Sequence, residues 1–251
     1  MAKKAIPISD LPVINRHQAG TSRPEQFTEG AVVLIDKPKT WSSFHAVKFV
    51  RNRIPPKKVG HAGTLDPLAT GLLILCTGKA TKSISQFQEL GKEYVADLRF
   101  GASTPSYDAA LEPDETAPWQ HINRSMAEQM IAARFIGDVE QTPPAYSAIK
   151  VKGERLYKKA RRGESVEPEP RTVSIYGIEI LEWNLPDVQI RVHCGKGTYI
   201  RSLAHELGLA LGSRAYLTDL RRTGTGPYRV EDALTPEAFE AMIKKELEWQ
   251  N

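Results

Sequence analysis

The segment at positions 58–82, KVGHAGTLDPLATGLLILCTGKATK, constrains the fold more than any other part of the chain. Its carboxylate, Asp66, stands between Gly63 and Gly71 and is followed at once by a proline. The apolar run Leu72–Cys76 comes next, and its length and composition predict a buried strand. The segment therefore predicts a glycine-flanked turn that presents one acid at the entrance to a buried strand.

Two interpretations of Asp66 follow from the local sequence. Aspartate before proline is what a helix start prefers, with the aspartate as N-cap and the proline at the first helical position. A plain cap does not need Gly60, Gly63 and Gly71 around it, because glycines permit a tight backbone or the close approach of a ligand. The second interpretation is therefore a reactive group on a loop. His61 is either a structural histidine or an acid–base partner of Asp66.

The composition excludes several classes of protein. The chain has 251 residues, of which 41% are hydrophobic and 25% charged, as expected for a soluble globular protein of one large or two smaller domains. Cys76 and Cys194 lack the paired spacing of a zinc site or a disulfide framework, so we expect two buried thiols. No apolar run approaches the ~20 residues of a membrane span, and no secretory signal opens the chain. These features predict a cytoplasmic protein.

The sequence also lacks the motifs of several large enzyme classes. Gly78-Lys79 does not have the spacing or the following hydroxyl residue of a phosphate-binding loop. The sequence contains no GxGxxG after a strand, no HExxH, no GxSxG elbow and no deaminase signature. These absences argue against NTP hydrolysis and exclude several large enzyme classes.

The hydrophobic periodicity predicts strands and helices that alternate without a regular βαβ rhythm. Predicted strands lie at 31–35, 72–76, 94–100, 173–183 and 188–194, and predicted helices at about 43–54, 80–90, 126–136, 199–211 and 236–247. Either Ser42 or Ser43 can cap the first helix. This order predicts an α/β (α+β) protein with a mixed, largely antiparallel central sheet and flanking helices. Residues 1–29 show no period and are expected to form a flexible arm before one domain at 30–251.

The positive charge is concentrated in two stretches. The net charge is +4, and the cations alternate with tyrosines, which suits a phosphate backbone with exposed bases. The alternative is a solvated helix face, since glutamates dilute the first stretch. The first stretch holds Lys150, Lys152, Arg155, Lys158, Lys159, Arg161, Arg162 and Arg171, and the second holds Arg201, Arg214, Arg221, Arg222 and Arg229.

Arg201 belongs to a further marked segment, GKGTYIRSLAHELG at 195–208. It stands near the start of a predicted helix, where the helix dipole disfavours a cation. We therefore expect an anionic partner for its guanidinium, and Asp66 is the natural candidate.

Five segments taken together resemble the TruB family of tRNA pseudouridine synthases. They are VLIDKPKTWSS at 33–43, HAGTLDPLATG at 61–71, KEY at 92–94, PPAYSAIKVKGERLYKKAR at 143–161 and GKGTYIRSL at 195–203. The resemblance implies an isomerase, an intramolecular transferase, that flips uridine 55 out of the T-arm of tRNA and converts it to pseudouridine. It implies no metal, cofactor, membrane or guide RNA, no obligate protein partner, and a monomer.

The resemblance also implies roles for individual residues. Asp66 would be the catalytic nucleophile, Tyr94 would stack on the target base, and Arg201 would pair with Asp66. His61 would fill the space left by the flipped base, Leu220 would pack beneath that base, and Tyr199 would contact the substrate.

The stretch at about 143–167 would be a mobile RNA-binding thumb inserted into the catalytic domain 30–251. Its substrate-binding cations would be Lys150, Lys158, Lys159, Arg161 and Arg162. The sequence ends at Asn251 without room for the C-terminal PUA-type domain that family members often carry, so we expect an enzyme without it. Two alternatives stay open: a guide-RNA-dependent synthase like dyskerin, and a tRNA-binding folding chaperone whose isomerase activity is incidental.

Overall fold

The computed structural model describes residues 5–17, 24–55, 57–147, 149–151, 153–156, 159, 162, 164 and 168–248. Within these ranges the strands are β1 (Val13–Ile14), β2 (Val32–Lys37), β3 (Val59–His61), β4 (Thr70–Thr77), β5 (Lys92–Phe100), β6 (Ala102–Ser103), β7 (Glu115–Thr116), β8 (Gly137–Gln141), β9 (Lys150–Val151), β10 (Glu154–Arg155), β11 (Arg171–Asn184), β12 (Asp187–Cys194), β13 (Ala215–Thr225) and β14 (Tyr228–Arg229). The α-helices are α1 (Pro24–Glu29), α2 (Ser43–Arg51), α3 (Ile84–Glu89), α4 (Arg124–Arg134), α5 (Ile200–Ala210) and α6 (Pro236–Glu248).

The chain divides into two compact units. The first unit comprises residues 1–92 and 221–251, and the second comprises residues 93–220. The predicted division into an arm at 1–29 and one catalytic domain at 30–251 stays a prediction. None of the helices in the described ranges combines the length and the apolar character that a bilayer span requires.

The first unit is built around β4, whose side chains are almost all buried. Along one edge β4 pairs with β2 in antiparallel register, from Val32 opposite Cys76 to Lys37 opposite Gly71. The other edge is shared, since β3 pairs antiparallel with the end of β4 and β13 pairs parallel with its start. The predicted buried strand is therefore confirmed, and its two ends receive different neighbours.

Helix α2 begins as the sequence predicts. Ser42 adopts an extended backbone, and its hydroxyl accepts a hydrogen bond from the amide of His45 at 3.1 Å. This satisfies one of the amides that a helix start leaves without a partner. The helix buries Ala46, Val47 and Val50 against the unit's interior. Of the two possible capping serines, Ser42 is the cap.

The described residues near the N-terminus are packed onto the first unit. Strand β1 adds to β2 in parallel register, and the carbonyl of Ile6 accepts hydrogen bonds from Ser83 and Gln86. The amide of Arg16 donates to the carbonyl of Asp232. These contacts show that residues without periodicity still contribute a strand and backbone hydrogen bonds.

The second unit holds a sheet whose strand order is β13, β5, β12, β11 and β8, with residues 215–220 of β13 at one edge. Strand β5 alternates as predicted, since Tyr94, Ala96, Leu98 and Phe100 are all buried. Strands β11 and β12, at the strands predicted for 173–183 and 188–194, form an antiparallel pair, and α4 packs against α5 and β11. In the first unit β1 pairs parallel with β2 and β13 pairs parallel with β4, while β4 pairs antiparallel with β2 and β3 and β13 with β14. In the second unit β11 pairs antiparallel with both β12 and β8. The predicted fold class is confirmed.

Several elements differ from the sequence prediction. The helix expected over 80–90 is a 3-10 turn over Gly78–Ser83 followed by the shorter α3. Strands β8 and β13 lie where no strand was predicted, because their polar residues hide the period of two.

Candidate active site

Asp66 opens a tight turn rather than a helix. Its carbonyl accepts a hydrogen bond from the amide of Ala69 at 3.1 Å, with Pro67 at the second position of the turn. Aspartate at the first position and proline at the second are what such a turn prefers. The chain then enters β4 at Thr70. The N-cap interpretation is therefore wrong, and the half-buried Asp66 lies on a loop.

A buried lysine lies close to Asp66. Lys37 is fully buried at the end of β2, and its ammonium group donates to the carbonyls of Pro38 and Trp41 at 2.9 and 2.7 Å. Burial lowers the pKa of Lys37 to about 8, and the negative charge of Asp66 is the strongest influence in the opposite direction. Lys37 and Asp66 are therefore electrostatically coupled.

A buried arginine ties the Asp66 loop to the neighbouring strands. Arg222 on β13 is 2% exposed, and its Nε donates to the carbonyl of Leu72 at 2.7 Å while its Nη2 donates to that of Gly63 at 3.2 Å. Its neighbour Arg221 makes two hydrogen bonds to Asp36, at 3.0 and 2.7 Å. Arg221 and Arg222 are adjacent on one strand but bond different groups: Arg221 bonds a carboxylate, and Arg222 bonds backbone carbonyls.

His61 lies on β3, opposite Leu75 of β4. Burial and the nearby charge of Arg222 lower the pKa of His61 from its usual value, so the imidazole is neutral at pH 7. A neutral imidazole of this kind suits packing against a base better than proton donation.

Arg201 is the second residue of α5 and is 4% exposed. Its Nη1 donates to the carbonyl of Ser106 at 2.9 Å, and its Nη2 donates to that of Tyr146 at 3.0 Å. Its Nε lies 3.7 Å from a carboxylate oxygen of Asp108. An anionic partner for Arg201 is therefore present, although the pairing with Asp66 that the sequence suggests stays a prediction.

Asp108 is itself held firmly in its loop. Its carboxylate accepts hydrogen bonds from the hydroxyl of Ser106 at 2.6 Å and from the amide of Ala110 at 3.0 Å. Sequence reasoning missed Asp108 because it lies in a long stretch rich in turn-forming residues. The available signal was the expected counter-charge of Arg201, which pointed to a carboxylate without saying which one.

The other predicted contact residues lie in the second unit. Tyr94 is 8% exposed on β5, and Leu220 is half-buried on β13. The backbone amide of Tyr199 donates to Oε1 of Gln141 at 2.7 Å, and Nε2 of Gln141 donates to the backbone carbonyl of Tyr199 at 3.0 Å. The guanidinium of Arg171 lies 4.8 Å from the centre of the Tyr199 ring. Tyr199 is therefore positioned by two side chains just before α5.

Comparison with known families decides the relationship. The sequence profile described as "TruB family pseudouridylate synthase (N terminal domain)" matches residues 51–200, which is more than half of the chain. A second profile, "tRNA pseudouridylate synthase B C-terminal domain", matches residues 201–249. The chain belongs to the TruB family of pseudouridylate synthases. The resemblance carried by the five sequence segments is confirmed.

Curated TruB-family relatives match almost over their full lengths. The tRNA pseudouridine synthase B of Phocaeicola vulgatus is 52% identical over 229 residues, covering 88% of this chain and 97% of that protein. The protein of the same name from Flavobacterium johnsoniae is 50% identical over 228 residues, covering 88% of this chain and 99% of that one.

Among solved structures, a chain of a Cbf5-Nop10-Gar1 complex resembles this TruB-family protein with a TM-score of 0.68 and 29% identity. The match covers all of this chain and 63% of that chain, so the TruB-family chain spans less than two thirds of its neighbour's length. The structure of an H/ACA RNP bound to a substrate RNA matches with a TM-score of 0.64 and 28% identity, over 99% of this chain and 62% of that one.

The predicted thumb of the TruB-family chain is described in part. Strands β9 and β10 form a short antiparallel ladder, with Glu154 opposite Val151, and Leu156 is buried beside it. Arg162 makes two hydrogen bonds to Glu154, at 2.7 and 2.8 Å, and a third to Glu164 at 2.8 Å. Lys158, Arg161 and the side chain of Lys150 lie outside the described residues.

The predicted site residues are thus distributed over both units. Asp66 and His61 belong to the first unit, where Lys37 and Arg222 join them. Tyr94, Tyr199, Arg201 and Leu220 belong to the second unit, where Asp108 accompanies Arg201. Sequence reasoning did not single out Lys37 or give Arg222 a place in the site.

Proposed function

We propose that this chain converts uridine 55 in the T-arm of tRNA to pseudouridine, alone and without a guide RNA. The observation that carries the proposal is membership of the TruB family together with relatives named tRNA pseudouridine synthase B that match over 97% or more of their length. Such an enzyme is an isomerase that works as a monomer in the cytoplasm, where its tRNA substrate is present.

The reaction breaks the bond between C1′ and N1, turns the uracil, and forms a bond between C1′ and C5. The proton on C5 is lost and N1 gains one, so no oxidant, reductant or hydrolytic water is consumed. The reacting atoms are hidden in a stacked loop, and flipping the base out costs a few kcal/mol. Stacking on an aromatic ring such as Tyr94 returns about 1–3 kcal/mol.

In this proposal Asp66 is the nucleophile. Its support is geometric: the carboxylate is half-buried on a turn whose backbone is fixed on both sides, and it is coupled to the buried ammonium of Lys37. A fixed nucleophile loses little freedom when the base arrives, which lowers the barrier. His61 helps to fill the space that the flipped base leaves, and Leu220 and Tyr199 contact the substrate.

In the same proposal Arg201 is a fixed cation that orients the nucleophile. Its carbonyl partners and Asp108 hold the guanidinium in place within the second unit. Pairing with Asp66 would then orient the nucleophile, as a fixed opposite charge does for a carboxylate.

A second candidate is a guide-RNA-dependent, dyskerin-like synthase, and the similarity to a chain of an H/ACA RNP bound to a substrate RNA is the observation that favours it. The purified protein distinguishes the two functions when it is incubated with unmodified tRNA transcript alone. We expect pseudouridine at position 55 of the T-arm, mapped by chemical labelling and primer extension, and none in a transcript with cytidine at that position. Conversion that requires an added guide RNA and partner subunits would establish the second candidate instead.

The thumb cations give a further prediction. Changing Lys158, Lys159 and Arg161 together to glutamine is expected to reduce the slope of log Kd against log salt by about 2–3, since each phosphate contact contributes about 0.7–0.9. Lys159 forms no ion pair within the described residues. Filter binding of tRNA between about 50 and about 200 mM KCl measures the slope.

Arg162→Gln is the matched control for the thumb. Its guanidinium already serves Glu154 and Glu164, so we expect the slope to change by less than about 0.5. An unaltered slope in the triple variant would support the solvated-face alternative for this cluster.

A further inference from the structure

The hydroxyl of Ser43 both donates and accepts a hydrogen bond with the backbone of a single residue, Leu65. The Oγ donates to the carbonyl of Leu65 at 3.0 Å and accepts from the amide of Leu65 at 2.8 Å. Leu65 immediately precedes Asp66 in the chain. Ser43 and Leu65 are each 3% exposed, so water does not have access to replace these bonds.

A second contact holds the other side of Asp66. The amide of Thr40 donates to the carbonyl of Pro67 at 2.7 Å. Thr40 adopts a left-handed backbone with φ of 72°, which a non-glycine residue rarely does. The ammonium of Lys37 bonds both Pro38 and Trp41, so it braces the turn that carries Thr40. The segment 37–43 therefore contacts the backbone on each side of Asp66.

The Ser43 hydroxyl is not needed by its own helix. Ser42 supplies the cap of α2 through its bond with the amide of His45. Ser43 is already the first helical residue, and its side chain points to the Asp66 loop instead. Adjacent serines thus have separate tasks, one within the helix and one toward the loop.

We propose that Ser43 is a positioning residue for the isomerisation, acting through Leu65 on the orientation of the Asp66 carboxylate. The inference rests on the proposed role of Asp66 as nucleophile. When the hydroxyl is lost, the two polar groups of Leu65 lose their partner and the backbone before Asp66 rotates to find others. A nucleophile displaced in this way reacts more slowly although the substrate surface is unchanged.

Ser43→Ala and Ser42→Ala form the test, because each removes one hydroxyl from neighbouring positions. We expect Ser43→Ala to lower the single-turnover rate at saturating tRNA at least 10-fold, with the Kd for tRNA within two-fold of the parent. Ser42→Ala is expected to lower the melting temperature through loss of the cap and to keep the rate within two-fold. Ser43→Thr, which retains the hydroxyl, is expected to recover most of the rate.

Three results would overturn the proposal: a Ser43→Ala rate within two-fold of Ser42→Ala, a loss confined to tRNA affinity, or a threonine variant as slow as the alanine variant. If Ser43→Ala does not fold, Ser43→Cys replaces it, since a thiol keeps the size but weakens both hydrogen bonds. A folded cysteine variant with full activity would equally refute the role. Failure of the proposed function is distinguishable, because the parent protein itself would then leave tRNA unmodified.

Discussion

Asp66→Asn is expected to lower pseudouridine formation by at least about 1,000-fold, while the affinity for tRNA stays within about two-fold. Asparagine keeps the size of the side chain and removes its charge and nucleophilic oxygen. The surrounding turn is fixed by backbone bonds of Asp66, Leu65 and Pro67, none of which involves the carboxylate. Release of tritium from C5-labelled uridine in tRNA measures the rate, and filter binding measures the affinity.

Asp36→Asn is the matched control, since both carboxylates influence Lys37. Asp36 is engaged by Arg221, so its replacement is expected to cost about 1–2 kcal/mol of stability and to leave most of the activity. If Asp66→Asn isomerises at the parent rate, Asp66 is not the nucleophile and the central assignment is wrong. Retained binding with lost activity supports the enzyme.

Gly71→Ala is expected to destabilise the protein by more than about 4 kcal/mol. Gly71 has φ of +101°, which strains any residue with a Cβ atom. A Cβ at this position would lie 2.3 Å from the carbonyl oxygen of Arg222 and 2.8 Å from its amide nitrogen. Both atoms belong to the backbone of β13, which pairs with β4 at this point, so the clash is relieved only by separating the strands. Urea unfolding followed by circular dichroism measures the loss.

Gly137→Ala is the control that separates the steric clash at Gly71 from the backbone strain of a positive φ. Gly137 has a similar φ of +91°, but a Cβ there would meet no atom within 4 Å. We expect a loss of about 1–3 kcal/mol from backbone strain alone. Equal losses in the two variants would show that the strands move apart at little cost.

The sequence predicted elements whose pattern is complete within a short window. The apolar run of β4, the alternation along β5 and the cap of α2 each depend on neighbours within a few positions. The hairpin of β11 and β12 was also predictable, because two alternating runs flank one turn. These patterns sufficed for the fold class.

Strand β13 could not be predicted in this way. Its residues Arg221 and Arg222 suggest a solvated surface, yet Arg222 is buried because the carbonyls of Leu72 and Gly63 accept from it. Those partners lie about 150 positions away in the chain. A short sequence window indicates that burying the charge of Arg222 costs free energy. It does not show the distant carbonyls whose hydrogen bonds offset that cost.

The site was predictable to a similar extent. The glycines near Asp66 indicated a close approach, and the structure shows that at Gly71 the approaching group is the backbone of β13. Aspartate followed by proline suits a helix cap and a turn alike, so only the strand that follows distinguishes them. The sequence predicted a carboxylate beside Arg201, and in the structure Asp108 is one. The position of Asp108 depends on how a long loop folds, which a local sequence window does not show.

The guanidinium of Arg222 closes the Asp66 loop much as a covalent cross-link would. By bonding Gly63 before the turn and Leu72 after it, one side chain fixes both ends of the loop. The conformational entropy of that loop is therefore lost when the chain folds, and not when tRNA binds. Lengthening the loop by a residue should then impair the placement of Asp66 while the RNA-binding surfaces elsewhere keep their affinity.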